Sequence, residues 1–111
     1  MKGYTLEEAK ICVGKGWHSI LEDLYSKLGP DTVVNTVKEK FGGLRVYIDT
    51  GSIEMYDNID AAEAKSLSTC EDCGSLKGAR RSAGRSGYWI RTLCPDCNIK
   101  EADKHDRQAN F

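Results

Sequence analysis

Apolar residues at Leu6, Ala9, Val13, Trp17, Ile20, Leu21, Leu24 and Leu28 recur in steps of three and four. That spacing gathers them on one face of an α-helix. Thr5-Leu6-Glu7-Glu8 has the S/T-x-x-E form of a capping box, which satisfies the first free amides of a helix. Gly14 and Gly16 interrupt the pattern, each costing about 1 kcal/mol against alanine in a helix interior. The pattern therefore predicts a break near 14–16 and a firm helix from about Trp17 to Leu28, stopped by Gly29-Pro30. Asp31 can cap a second helix running to Phe41, with Val33, Val34, Val37 and Phe41 facing inward. The three valines suit a strand as well; the helix is the expectation taken forward. Gly42-Gly43 ends that element. Leu44-Arg45-Val46-Tyr47-Ile48 alternates and predicts a strand, expected to pair with Tyr88–Leu93 in a small three-stranded sheet. Thr50-Gly51-Ser52 is a turn, and 53–68 carries a weaker helical period supported by alanines at 61, 62 and 64. No internal repeat is visible.

A chain of 111 residues is one domain's worth, able to bury roughly two thirds of its unfolded surface. With 40% apolar and 30% charged residues it has the composition of a folded chain, not a disordered one. The longest apolar runs are three or four residues, too short to span a bilayer, and the N-terminus shows no apolar leader. The formal net charge of −1 argues against a generic polyanion binder. Its distribution is uneven: −3 over residues 1–69, +2 over 70–97 and 0 over 98–111. All five positive charges of the middle segment (Lys77, Arg80, Arg81, Arg85, Arg91) fall between two cysteine pairs.

Those pairs, Cys70-x-x-Cys73 and Cys94-x-x-Cys97, form C-x2-C-x20-C-x2-C, a four-thiolate zinc spacing. Each C-x-x-C turn brings two sulfurs to one side of a tight loop, and two turns complete a tetrahedron with no open position, so the expected zinc is structural. Gly74 stands where such a turn needs positive φ. Between the pairs the sequence predicts a hairpin: a strand near Lys77–Arg81, a loop Ser82–Gly87 and a strand Tyr88–Leu93. That is a zinc ribbon. Pro95 suits a first helical position, and a C-terminal helix is expected over 95–109. A redox C-x-x-C needs a thioredoxin-like βαβ setting, and disulfides need an oxidising compartment, so both fit less well. The fifth cysteine, Cys12, is expected as a small buried hydrophobe.

Signatures of catalysis do not emerge. Neither His18 nor His105 lies in H-E-x-x-H or a deaminase pattern, and no phosphate loop or G-x-S-x-G is present. An enzyme is not expected. What remains are arginines and aromatics set among glycines: Phe41-Gly42-Gly43-Leu44-Arg45, Arg80-Arg81 with Arg85, and Gly87-Tyr88-Trp89-Ile90-Arg91-Thr92. Arginine offers a planar fork to phosphate, and tryptophan a face to a base. Arg45, Arg81, Arg85, Trp89 and Arg91 are the candidate ligand-binding residues. Against this, aromatics dominate small cores, and arginines on strands pair with acidic helices.

The pattern resembles a group of small phage- and prophage-encoded proteins. The matching stretches are Cys12-x-x-x-Gly16-Trp17 with Ile20-Leu21-x-x-Leu24, then Val37-Lys38-Glu39-Lys40-Phe41-Gly42-Gly43-Leu44-Arg45. They continue with Ala61–Ser68, Thr69-Cys70-Glu71-x-Cys73-Gly74 and Tyr88-Trp89-Ile90-Arg91-Thr92-Leu93-Cys94. The resemblance spans roughly residues 12–97 and implies a virus-derived accessory protein in a bacterial host cytoplasm. It supplies no biochemical activity.

The expected fold is α+β: N-terminal helices and a short strand packed on a four-cysteine zinc ribbon with a C-terminal helix. It is read as one domain over 1–111, helical over 1–69 with the strand at 44–48, ribbon over 70–97, and helix over 98–111. The expected function is a non-enzymatic accessory protein that counteracts host defence by binding a phosphate-bearing, nucleotide-like ligand. The alternative is a zinc-ribbon module that contacts nucleic acid or a host protein through its basic hairpin, with strongly salt-dependent binding. No membrane partner is expected. A homo-oligomer enclosing the ligand at a subunit boundary is compatible with the size, though the sequence does not set the oligomeric state.

Overall fold

The computed structural model describes residues 3–83 and 90–98. In chain order these form α1 (Leu6–Ile11), a 3₁₀ turn (Lys15–Trp17), α2 (His18–Lys27), β1 (Val34–Lys40), β2 (Gly43–Ile48), α3 (Ile53–Ser66), β3 (Arg80–Ala83) and β4 (Ile90–Leu93). Residues 95–98 make one helical turn. The class is α+β, as expected. No helix among the described residues is long and apolar enough to cross a membrane.

The start of the chain follows its local signals. Thr5 Oγ1 accepts from the Glu8 amide at 3.2 Å, and Glu8 Oε1 accepts from the Thr5 amide at 3.0 Å. This closes the capping box on α1. The break falls where the glycines stand, and α2 then buries Ile20, Leu21 and Leu24. Trp17 is fully buried at the head of α2. Cys12 departs from expectation. It is exposed, because α1 ends at Ile11 and the buried stripe passes from Ala9 to Trp17 without including it.

Residues 31–41 correct the expected helix. They are loop and strand, β1 pairing antiparallel with β2. The register shifts between Val34 and Thr36: Val34 faces Ile48, while Thr36 faces Tyr47. One extra residue in β1 breaks the two-residue alternation, so Val34 and Val37 both point into the core although they are three apart. A bulged strand therefore carries the spacing of a helix. Phe41 is not core; it sits on the hairpin turn and is 56% exposed.

β2 buries Leu44, Val46 and Ile48 as its alternation requires. Its partner is β1, not β4. Among the described residues β1–β2 and β3–β4 are separate two-stranded sheets, which corrects the expected three-stranded one. The free edge of β2 is closed by α3. Ser66 Oγ accepts from the Leu44 amide at 2.9 Å and Glu63 Oε2 from the Val46 amide at 3.0 Å. Side chains of the helix thus replace a third strand and satisfy an edge that would otherwise remain open. α3 itself starts at Ser52, whose hydroxyl accepts from the Met55 amide, and packs Ile59 and Ala62 on α2 and the sheet. β4, at Ile90–Leu93, lies within the predicted Tyr88–Leu93. β3 runs Arg80–Ala83, further along the chain than the predicted Lys77–Arg81, and includes Ser82 and Ala83, residues expected in the loop. Tyr88, Trp89 and most of the expected C-terminal helix lie outside the described residues.

Candidate metal centre and the adjoining cleft

Cys70 and Cys73 project from the turn after α3, and Cys94 and Cys97 from the start of the 95–98 turn. The first knuckle closes with the Gly74 amide donating to the Cys70 carbonyl and the Cys70 amide to the Ser75 carbonyl, both at 2.9 Å. Gly74 has φ +81°, which only glycine adopts without strain, as the sequence suggested. In the second knuckle the Asn98 amide donates to the Cys94 carbonyl at 2.9 Å. All four sulfurs lie within 4.8 Å of one another, with Cys73 and Cys94 Sγ 3.6 Å apart. A tetrahedral ion with bonds of about 2.3 Å sets sulfurs about 3.8 Å apart, whereas a disulfide needs about 2.05 Å. The donor set therefore fits a metal ion, and all five cysteines are free thiols.

The electrostatics agree. Burial, then the neighbouring thiols of Cys94, Cys70 and Cys73, push Cys97 well above the ordinary thiol range. Burial also opposes ionisation of Cys70, but hydrogen bonds from the backbone at Cys94, Cys73 and Asp72 lower it to about 7. Four crowded thiols cannot all ionise by themselves. A bound cation removes that conflict, because its charge favours each thiolate.

The knuckle is tied to the rest of the chain through backbone. The Gly16 amide donates to the Glu71 carbonyl at 2.8 Å, and Trp17 Nε1 to the Thr69 carbonyl at 2.9 Å. A Cβ on Gly14 would run into the Glu71 carbonyl, and one on Gly16 into that of Cys70. These glycines do more than interrupt a helix: they let the 3₁₀ turn touch the metal knuckle. Glu71 is buried inside the knuckle. Its Oε2 accepts from the Thr92 amide at 2.9 Å and its Oε1 from Arg91 Nε at 3.0 Å. Burial raises its pKa, opposed by the Thr92 amide and Arg91. Arg91 also reaches Asp72 Oδ1 at 2.6 Å. Arg91 thus clamps the two acidic residues between Cys70 and Cys73 and is not among the cleft-lining residues below.

A cleft of about 230 Å³ opens beside the ribbon, between the β1–β2 turn, the end of α3 and β3. It brings together Arg45 and Arg81, two of the predicted ligand residues, with Lys40, Phe41, Asp60 and Glu63. Arg81 Nε donates to the Phe41 carbonyl at 2.9 Å. Arg45 Nε is buried and has no hydrogen-bond partner among the described residues. Such a donor carries a desolvation cost of about 1–3 kcal/mol until an acceptor reaches it. Glu63 is committed to the Val46 amide. Arg85 and Trp89, the other predicted ligand residues, lie outside the described residues. Sequence reasoning missed Asp60 and Glu63, which look like ordinary solvated helix residues. It did not place the Phe41-Gly42 turn either, although a two-residue link with glycine second, flanked by strands, is a hairpin signal. His18 is half-buried, its Nε2 within 2.8 Å of the Lys10 carbonyl, and is neither one of the four clustered donors nor a lining residue of the cleft.

Compared with known proteins, the chain matches no family model, no curated protein and no solved structure.

Proposed function

We propose that this protein is a non-enzymatic binding module: a structural zinc ion on Cys70, Cys73, Cys94 and Cys97 orders the ribbon, and the adjoining cleft takes a phosphate-bearing ligand. Four sulfur donors favour zinc over the harder cations, which prefer oxygen. The observation that carries the ligand reading is Arg45, which lines a cleft shared with Arg81 and Lys40 and whose buried Nε has no hydrogen-bond partner among the described residues. Phosphate oxygens accept from a guanidinium fork with charge assistance. Alongside the resemblance to phage-encoded proteins, the ligand class is that of nucleotide-derived signals of host defence.

Calorimetric titration of the zinc-loaded protein with pyrophosphate and with nucleotides tests this. Binding is expected, with Arg45→Gln weakening it at least tenfold. No heat and no thermal shift with any phosphate compound at millimolar concentration overturns the reading. A second reading rests on Lys77 and Arg80, both exposed on the ribbon. Their charge suits nucleic acid or an acidic protein face. A gel shift that falls steeply with salt while Arg45→Gln leaves it unchanged selects that reading instead.

A further inference from the structure

The hairpin turn between β1 and β2 is built from Phe41 and Gly42, with φ +53° and +79°. Lys40 pairs with Gly43 across it. Two positive φ values in a two-residue link are the type I′ geometry, where asparagine, aspartate or glycine ordinarily stands first. A bulky aromatic there is a genuine outlier. The strain is not repaid by packing, since the ring is more than half exposed. The turn is instead held from three sides. The Gly42 amide donates to Glu39 Oε2 at 2.7 Å, the Thr92 hydroxyl to the Gly42 carbonyl at 2.6 Å, and Arg81 Nε to the Phe41 carbonyl. Backbone outliers maintained by such over-determined surroundings concentrate at binding sites.

We propose that the Phe41 ring is a stacking platform for an aromatic base, so that the cleft selects a nucleoside phosphate over a bare phosphate or a sugar phosphate. This rests on the phosphate reading of the same cleft. Lys40 Nζ lies over the ring, 5.6 Å from its centroid. An ammonium over one face leaves the other to a base, and base–aromatic stacking of this kind is tolerant of base identity. In the same cleft, the Asp60 carboxylate makes no hydrogen bond or ion pair with any described residue. A bare polyanion would gain nothing from that carboxylate. A nucleoside offers it amino and hydroxyl donors while its phosphate faces Arg45 and Arg81. The volume, smaller than the several hundred Å³ of a drug-sized site, limits the ligand to a single nucleotide unit at most.

The test titrates the zinc-loaded full chain with pyrophosphate, ribose 5-phosphate and the four nucleoside 5′-monophosphates. At least one nucleotide is expected to bind about 5- to 150-fold tighter than ribose 5-phosphate, the range that stacking supplies. Phe41→Asn, which suits the turn, is expected to bring that ratio close to one. A melting temperature no lower than wild type would show the hairpin intact. Phe41→Trp should keep the ratio. Equal affinity for ribose 5-phosphate and every nucleotide, or a ratio unchanged in Phe41→Asn, removes the base platform while leaving the phosphate reading intact. Binding of no phosphate compound removes both.

Discussion

The helical half and the ribbon of this protein are held together by different physics. In the first, Trp17, Leu21, Leu24, Leu44 and Val46 are buried against one another with Val34, Val37 and Ile59. In the second, the buried cluster is Cys70, Leu93, Cys94 and Cys97, with Ala79 packed against it. Three of those four are candidate metal ligands. A cluster that small cannot offset the entropy of ordering its own loops by burial, so under the proposed function a metal bound by the four thiols is the staple. Between the two lies a seam of buried polar residues, Ser66, Thr69, Glu71 and Thr92. A seam made of hydrogen bonds transmits position better than it transmits stability, since each bond contributes only about 1 kcal/mol net.

The comparison is open to breaking, and metal removal is the largest perturbation. Chelation, or Cys94→Ala, is expected to unfold the ribbon, because structural zinc of this type contributes about 10–16 kcal/mol of apparent binding free energy to folding. Amide resonances of 70–83 and 90–98 should collapse while far-UV circular dichroism keeps most of its helical signal. Ribbon resonances that stay dispersed in the metal-free protein would sink the staple argument. Leu21→Ala comes next, with a loss of about 2–5 kcal/mol in chemical denaturation from a cavity in the apolar half. Metal content by atomic emission should stay at one ion per chain. Loss of the metal would show that the halves are one cooperative unit.

Gly16→Ala tests the backbone joint. The added methyl meets the Cys70 carbonyl, and overpacking of this kind costs about 1–3 kcal/mol. Both the melting temperature and the affinity for zinc are expected to fall; an unchanged zinc affinity would mean that the joint does not couple the halves. Thr92→Val leaves the Gly42 carbonyl without its 2.6 Å donor and is expected to cost about 1–3 kcal/mol. It should also loosen the Phe41 turn, read as new exchange broadening at Phe41 and Gly42. Cys12→Ser closes the series. The residue is exposed, so the change should stay within about 0.5 kcal/mol and leave zinc stoichiometry untouched.

How much of this was legible depended on how local each signal is. The capping box at Thr5, the α2 face, the Gly29-Pro30 stop and the positive φ of Gly74 are settled within four or five residues, and the structure agrees with each. The cysteine spacing is longer, but four identical donors at matched intervals leave few arrangements that use them all. β1 was misread for an identifiable reason. A bulge between Val34 and Thr36 shifts two valines from a spacing of two to three, and nothing in the sequence marks the inserted residue. Arg91 could be recognised as a strand arginine of interest. Its commitment to Glu71 and Asp72 depends on folding the first knuckle against β4. Arg45 and Arg81, 36 residues apart, become neighbours only because the hairpin turn and β3 face one cleft.

By itself, the sequence determined α1, α2 and α3, the strand at Leu44–Ile48, the α+β class and the four thiols that can hold a metal. Hydrogen-bonding caps, period and ligand spacing are short-range properties, written where they act. Only the tertiary structure decided that β2 pairs with β1, that Ser66 and Glu63 close its edge, and that Gly14 and Gly16 touch the metal knuckle. It also turned Phe41 outward and left Arg45 Nε without a partner among the described residues. Those outcomes depend on which surfaces meet, and a carbonyl four elements away leaves no mark on the residues that approach it.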